Sequence, residues 1–255
     1  QAFYEDLNSF FNQSFFSKIL LEKLIKSEDE LSFWKKKSKE SHLSEFITDS
    51  FLLSKNSTKI LDGKLGSVKH TSWINLKSFL LTYRKYLKDQ QLIIEEPFDY
   101  QLAGLRKYKN LDFDKIVFCE GRNGHQNPFF DFVGFSPTKG ELLTIKSEEL
   151  KSESILKKGV FILPIGNDLY KVGATYERKW SDEKPSQKKK EARVASLKEM
   201  ICCNFTIVNH ESGVRPSVRD RRPIMGASPL ISNYYFFNGL GSRGCLMAPL
   251  LAEEL

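Results

Sequence analysis

The sequence predicts a mixed α/β fold in which a parallel-sheet part is interrupted by an antiparallel-sheet part and then resumed, so that two domains are wound through each other. Three observations carry this. Residues 116–119, Ile-Val-Phe-Cys, form an unbroken apolar run that stops abruptly at Glu120-Gly121, the pattern of a central parallel strand buried on both faces. From about residue 128 to 210, short strand-like segments alternate with turns, the signature of a mixed or antiparallel sheet. After a loop rich in Arg and Pro, the aromatic run at 234–237 feeds a glycine loop and an apolar, helix-like segment at 245–255. That is a return to the first pattern.

The elements follow in order. Leu7, Phe10, Phe11, Ile19, Leu20 and Leu24 recur at three-to-four spacing, so residues 1–50 are expected to be helical. Ser27 with Glu30 reads as a capping box opening a helix through Trp34. Gly63 and Gly66 punctuate a turn-rich stretch. Ile74, Leu76, Phe79, Leu80, Tyr83 and Leu87 fall on overlapping apolar faces of a helix over 73–87. Leu92-Ile93-Ile94 reads as a short buried strand that Pro97 ends. The antiparallel part has strands expected at 140–145, 160–163 and 169–174, with one helix over 188–201.

Composition bounds the function. A chain of 255 residues, 40% hydrophobic and 13% aromatic, can bury a sizeable core. It contains no run of eighteen apolar residues and so no candidate membrane span. Cys119, Cys202, Cys203 and Cys245 show no metal-type CxxC spacing, and adjacent Cys202 and Cys203 make poor disulfide partners, which points to a reduced, cytoplasmic setting. The four histidines are scattered, so no metal site is expected. The net charge of +7 raises the question of nucleic acid. Yet Lys35-Lys36-Lys37 and Lys188-Lys189-Lys190 lie beside acidic residues in polar segments, as solvated helix faces do.

Gly239-Leu240-Gly241-Ser242-Arg243-Gly244 has the G-x-G-x-x-G spacing of a dinucleotide-binding turn. That fingerprint also needs a following βαβ unit and an acidic ribose partner about twenty residues on. Here only Glu253 and Glu254 follow, too close to serve. What survives is a loop with little Cβ bulk feeding a helix start, whose N–H groups and positive dipole end can cradle an electron-rich group. From this segment alone, a tight strand-to-helix turn holding only its own chain is the favoured reading.

Five blocks in order, "KIVFCEG", "TKGELLTI", "VFILPIGNDLYKVGATYERKW", "HESGVRPSVRDRRPIMG" and "YYFFNGLGSRGCLMAPLLAEEL", resemble the D-amino-acid-oxidase superfamily of flavin enzymes, in particular glycine oxidase and related FAD-dependent amine oxidoreductases. The ending also resembles the oxidase domain of the bifunctional tRNA 5-methylaminomethyl-2-thiouridine enzymes. The resemblance covers 73–255 and, more faintly, 3–34. It implies FAD as cofactor and a Rossmann-like FAD-binding domain interleaved with an antiparallel-sheet substrate domain. Residues 1–70 then form a helical substrate-domain part, 71–126 an FAD-domain part, 127–212 the antiparallel substrate domain and 213–255 the C-terminal FAD-domain part. Members open with a strand, a glycine turn and an acidic residue that hold the ADP half of FAD. No such unit stands upstream of Gln1, so the expectation is of a chain that lacks its N-terminal βαβ unit and retains FAD poorly or not at all.

The resemblance also assigns residues. Gly239, Leu240, Gly241, Ser242, Arg243, Gly244 and Cys245 map onto the loop that meets the flavin edge, with noncovalent attachment. Gly121, after Glu120, maps near the adenosine and pyrophosphate. Arg215 stands where the family grips a substrate carboxylate, and a planar guanidinium suits that task. Phe161 and Tyr176 fall where relatives line the substrate pocket, although ordinary strand aromatics would look the same. Arg219, Arg221 and Arg222 are expected to pair with Asp220. Pro249 is expected to be tolerated as part of a first helical turn. The implied function is oxidation of a small amino acid or secondary amine by hydride transfer to FAD. The alternatives are a tRNA-modifying oxidase acting on a modified uridine and a noncatalytic remnant of the family.

Overall fold

The computed structural model describes residues 1–53 and 60–255. In chain order its elements are α1 (Ala2–Phe11), β1 (Phe16–Lys18), β2 (Leu21–Ile25), α2 (Glu28–Ser38), β3 (Ile47–Leu53), β4 (Lys64–Val68), β5 (Ser72–Ile74) and α3 (Leu76–Asp89). There follow β6 (Lys107–Tyr108), β7 (Leu111–Asp112), β8 (Ile116–Phe118), β9 (Thr138–Lys146), β10 (Ile155–Lys158), β11 (Val160–Pro164) and β12 (Leu169–Gly173). The chain ends with α4 (Gln187–Lys198), β13 (Thr206–Arg215), β14 (Ile224–Ala227), β15 (Tyr234–Asn238) and α5 (Gly244–Glu254).

An eight-stranded mixed sheet runs β13-β9-β12-β11-β10-β2-β4-β3. Within this sheet, among the described residues, β10 and β2 pair in parallel and the other neighbours are antiparallel. One face packs Leu143, Ile145, Leu156, Ile162 and Val172 against Leu197 of α4 and Met200 beyond it. Where α2 covers the opposite face, Ile25 meets Leu31 and Trp34. A second sheet, β14-β15-β8, pairs β15 with β8 in parallel. Its core is aromatic: Phe118, Phe130, Tyr234 and Phe236 are buried together, with the Phe130 and Phe236 rings stacked at 4.6 Å. Offset ring pairs of this kind add modestly to area burial. Both the mixed α/β class and the interruption of one sheet by another follow the expected order.

Several local expectations fail for tertiary reasons. Residues 16–18 and 21–25 are strands, not helix. Leu24 and Ile25 are consecutive yet both buried, because β2 lies inside the large sheet and is covered on both faces, Leu24 by one core and Ile25 by the other. A strand covered on both sides loses its alternation and can mimic a helical run. Gly66 is not in a turn but within β4, where a Cβ would lie 2.6 Å from the Trp34 indole. The capping residue Ser27 accepts from the Glu30 amide at 3.2 Å as the capping box predicts, and α2 continues to Ser38. Residues 92–94 form no strand, and Leu92 and Ile94 are 68% and 57% exposed. The left-handed Gln91 turns the chain after α3, and the Leu92 amide closes back on the Leu87 carbonyl at 2.8 Å. The run at 116–119 is parallel as expected, but β8 is an edge strand among the described residues, and Val117 is 42% exposed.

Pro249 lies in the second turn of α5 rather than the first. A proline there removes the N–H that would bond the Cys245 carbonyl. The Tyr4 hydroxyl of α1 donates to that carbonyl at 2.7 Å instead. Burial, with Cys245 beside it, pushes the Tyr4 phenol up to about 12. One residue from the start of the chain thus repairs the helix at its end.

Under the large sheet, Glu141 of β9 is 1% exposed. Its Oε2 accepts from the Ser186 amide at the start of α4 at 3.1 Å and meets His210 Nε2 at 2.9 Å. Lys139 Nζ stands 3.3 Å from its Oε1. Burial pushes the carboxyl up, but the Ser186 amide, Lys139 and His210 outweigh it and hold the pKa below the ordinary carboxylate value. The stabilisation is therefore present above the ordinary carboxylate pKa and is lost as pH falls through the lower folded value. Replacing Glu141 with Ala leaves Lys139 buried without its counter-charge. Urea denaturation near neutral pH should show a loss of about 3–5 kcal/mol, with a correspondingly flatter loss of stability on acidification. A variant as stable as the parent would assign the Glu141 cluster no role in holding α4 on the sheet.

Candidate functional site

The two sheets meet around a cavity of about 1030 Å³. Its walls come from the start of β9 (Thr138), the end of β13 (Arg215), the chain after it (Ser217 to Arg222), Tyr176 beyond β12, and the loop from Gly239 to Arg243. Isolated bridges between Ser217 and Leu240 and between Phe135 and Val218 fasten these segments to one another.

Arg215 closes β13 opposite Thr138. Its guanidinium lies 4.3 Å from the centre of the Tyr176 ring, and Nη1 donates to the Thr175 carbonyl at 3.2 Å. Its Nε and Nη2 have no protein acceptor among the described residues. A half-buried guanidinium held at one corner, with its remaining donors free, suits a planar oxyanion.

The glycine loop answers to two demands. Gly239 and Gly241 have φ of +74° and +56°, a region that side chains with a Cβ resist. Three of the loop's amides are already used: Gly239 N–H donates to Asn238 Oδ1, Gly241 N–H to the Pro216 carbonyl, and Arg243 N–H to the Leu240 carbonyl. The Leu240 and Ser242 amides have no protein acceptor among the described residues. No side chain caps the α5 N-terminus that follows. The loop therefore presents free donors and a positive dipole end beside the cavity.

Of the residues singled out from the sequence, Arg215, Tyr176, Gly239, Leu240, Gly241, Ser242 and Arg243 line this one cavity. Gly244 and Cys245 begin α5 just behind it, and burial pushes the Cys245 thiol up. Gly121 lies outside the lining; it has φ of +57° and accepts from Asn238 Nδ2 at 2.9 Å. Phe161 is also outside it, on β11 opposite Gly173. The expected pairing around Asp220 is absent among the described residues: its Oδ1 accepts from the Arg222 amide at 3.0 Å. The arginine ion pairs among the described residues belong to Arg84, Arg106 and Arg122. Arg178, Arg219, Arg221, Arg222 and Arg243, which line the cavity with Arg215, thus carry unpaired charge. All five side chains are exposed, and Arg243 Nη2 donates to the Arg221 carbonyl. Among the described residues no cluster of His, Cys, Asp or Glu could hold a metal ion.

Sequence reasoning missed Asn238. Buried at the end of β15, it donates to the Gly121 carbonyl and accepts from the Gly239 amide. One side-chain amide joins two glycine turns 118 residues apart in the chain, a link that local spacing cannot signal.

A family model described as "FAD dependent oxidoreductase" (DAO) matches residues 63–255. The chain is 27% identical over 125 residues to the tRNA 5-methylaminomethyl-2-thiouridine biosynthesis bifunctional protein MnmC of Idiomarina loihiensis, spanning 47% of this chain and 20% of that protein. To the protein of the same name from Legionella pneumophila it is 27% identical over 166 residues, spanning 52% and 25%. It thus spans only a fifth to a quarter of the length of these curated relatives. Its fold is similar to that of glycine oxidase from Geobacillus kaustophilus, with a TM-score of 0.80 at 16% identity over 98% of this chain and 73% of that one. It is likewise similar to iminodiacetate oxidase from Chelativorans sp. BNC1, with a TM-score of 0.81 at 15% identity over 99% and 75%. With the family match extending over most of its length, the chain belongs to the DAO family of FAD-dependent oxidoreductases.

Proposed function

We propose that this chain forms the substrate-facing and flavin-edge parts of an enzyme that oxidises a small amino acid or a secondary amine bearing a carboxylate. The observation that carries the reading is the meeting of Arg215 and the 239–243 loop in one cavity. Residues 71–126 and 213–255 would serve the cofactor, and 1–70 and 127–212 the substrate. The residues present fit the ring end of FAD. The Leu240 and Ser242 amides are free, Gly239 and Gly241 hold backbone angles that bring the loop in without Cβ bulk, and the α5 start is uncapped.

When bound, FAD supplies the hydride acceptor. The chain's own part is orientation and electrostatics. Arg215 takes the substrate carboxylate through its free donors and so fixes which side of the α-carbon faces the loop. Tyr176 forms one wall. The free amides and the helix start offer positive potential to the electron-rich edge of the ring, preorganised and therefore without a reorganisation cost at the moment of reaction.

A second reading has its own observation. Five exposed arginines without ion pairs rim the cavity beside Arg215, and phosphodiester backbones are bound by such sets of cations. Together with the curated relatives, whose names place them in tRNA 5-methylaminomethyl-2-thiouridine biosynthesis, this supports a modified uridine in tRNA as the amine carrier. Binding of tRNA that weakens steeply with added salt, and that is lost when Arg219 and Arg222 are changed together to Ser, would favour it over a free amino acid.

Full-length protein should be yellow and release FAD on denaturation. A colourless preparation that FAD cannot reconstitute would favour the noncatalytic remnant. Arg215→Ala should keep its flavin while weakening a carboxylate inhibitor by about 2–5 kcal/mol, as for a partly buried charge-assisted contact. Unchanged inhibitor affinity would move the role elsewhere. Gly241→Val forces a β-branched residue to φ of +56° beside Ser217 Oγ, where a Cβ would lie at 3.2 Å, a strain of roughly 1–3 kcal/mol. It should lose flavin or lower the flavin reduction potential. A lower melting temperature with a normal potential would reduce the loop to a plain strand-to-helix turn.

A further inference from the structure

Arg215 sits at the end of a strand and could extend into solvent. It does not. In the β9–β13 ladder Arg215 is opposite Thr138, and the next pair on the same face is Gly213 opposite Gly140. Two facing glycines leave a patch of sheet without a single Cβ, since side chains two residues apart share a face. The guanidinium folds back onto this patch. A Cβ built on Gly140 would lie 2.3 Å from both Nη1 and Nη2 and 2.5 Å from Cζ, far inside contact distance. Gly140 has no left-handed φ to explain a glycine there, and its place in a buried strand makes glycine costly for the strand itself.

The rest of the guanidinium's surroundings are equally specific. The Tyr176 ring lies at 4.3 Å although that side chain is 66% exposed and has little packing to hold it. The Thr175 carbonyl takes Nη1 at 3.2 Å. Gly140 blocks the Nη1–Nη2 end, Thr175 occupies Nη1, and Tyr176 stacks on the group as aromatic rings do on Arg. What remains is the edge formed by Nε and Nη2, one of the two edges of Arg that can engage a carboxylate bidentately.

We propose that Gly140 and Tyr176 are positioning residues that hold the Arg215 guanidinium against β9 so that its Nε–Nη2 edge, and not its fork end, meets the substrate carboxylate. The proposal rests on the reading of Arg215 as the carboxylate-binding residue. Neither residue touches the reacting atoms; both act through Arg215. Because the atoms that a Cβ at Gly140 would strike are the far end of a movable side chain rather than backbone, Gly140→Ala should fold normally and simply evict the guanidinium.

The test is the affinity of FAD-loaded full-length protein for glycolate, a carboxylate without an amine, followed by the flavin absorbance, with flavin content and melting temperature recorded for each variant. Arg215→Ala should weaken glycolate tenfold or more. Gly140→Ala should weaken it to a similar degree at parental flavin content and melting temperature, and should add nothing when combined with Arg215→Ala. Tyr176→Leu should weaken it several-fold, while Tyr176→Phe, which keeps the ring, should restore parental affinity. If Arg215→Ala weakens glycolate but Gly140→Ala and Tyr176→Leu bind it like the parent, the positioning role is wrong while the reading of Arg215 stands. If Arg215→Ala itself has no effect, the underlying reading fails and the positioning role falls with it. Should Gly140→Ala melt early, the Leu and Phe variants of Tyr176 decide the matter, equal affinity in both overturning the proposal.

Discussion

The hydrogen bond from the Gly241 amide to the Pro216 carbonyl, at 3.2 Å, joins the two halves of the site. Pro216 directly follows the arginine that ends β13, and Gly241 is the middle glycine of the loop that opens α5. Pro216 has no N–H to give and a fixed φ, so the chain leaves Arg215 in a set direction, and the Ser217 amide closes a tight turn on the Arg215 carbonyl at 2.9 Å. That turn delivers the Pro216 carbonyl to the loop. Gly241 makes this bond at a φ of +56°, a backbone conformation that favours glycine. The separation between the Arg215 backbone and the loop's free amides is thus a backbone property, and the contacts with Gly140, Tyr176 and the Thr175 carbonyl set where the guanidinium lies across it.

Two further devices make this geometry stiff. Asn238 ties the Gly239 amide to the Gly121 carbonyl, so the loop cannot swing away from the turn after β8. On the other side, Glu141 anchors the start of α4 beneath the same strand, β9, whose opposite face carries Gly140. A buried carboxylate with an amide, a lysine and a histidine around it is stable only while all partners stay. The strand beneath Arg215 is therefore held on one face by the Glu141 cluster, and on the other Gly140 leaves room for the guanidinium. Farther out, the Tyr4 hydroxyl on the Cys245 carbonyl keeps α5 continuous through Pro249, so its positive end stays at the loop.

Much of this was legible in the sequence where local pattern and tertiary role agree. The strands near 140–145, 160–163 and 169–174 emerged as β9, β11 and β12, because each alternates or ends at turn residues. The amphipathic run expected as a helix over 73–87 is α3, except that Trp73 and Ile74 belong to β5 and the helix starts at Leu76, where Asn75 caps it. The 234–255 strand, loop and helix stand where the apolar run, the glycines and the second apolar run place them. Legibility failed where burial was two-sided or nonlocal. Leu24 and Ile25 read as helical because two cores claim adjacent residues. Leu92 to Ile94 read as buried strand because apolarity alone does not reveal that Arg84 and Lys88 hold Glu95 and fold the segment along α3. The arginines around Asp220 read as ion pairs because composition does not show that its Oδ1 turns back onto the Arg222 amide of the same loop. Gly140 and Asn238 carried no signal at all, since their partners are 75 and 117 residues away.

The most direct measurement is a crystal structure of the full-length protein grown with FAD and glycolate. The flavin ring edge should lie within hydrogen-bond distance of the Leu240 and Ser242 amides, with the glycolate carboxylate on the Nε–Nη2 edge of Arg215 and the guanidinium still resting on Gly140. A ring bound away from the 239–243 loop, or a carboxylate held by other residues while Arg215 stays on its own chain, would contradict the assignment of this cavity.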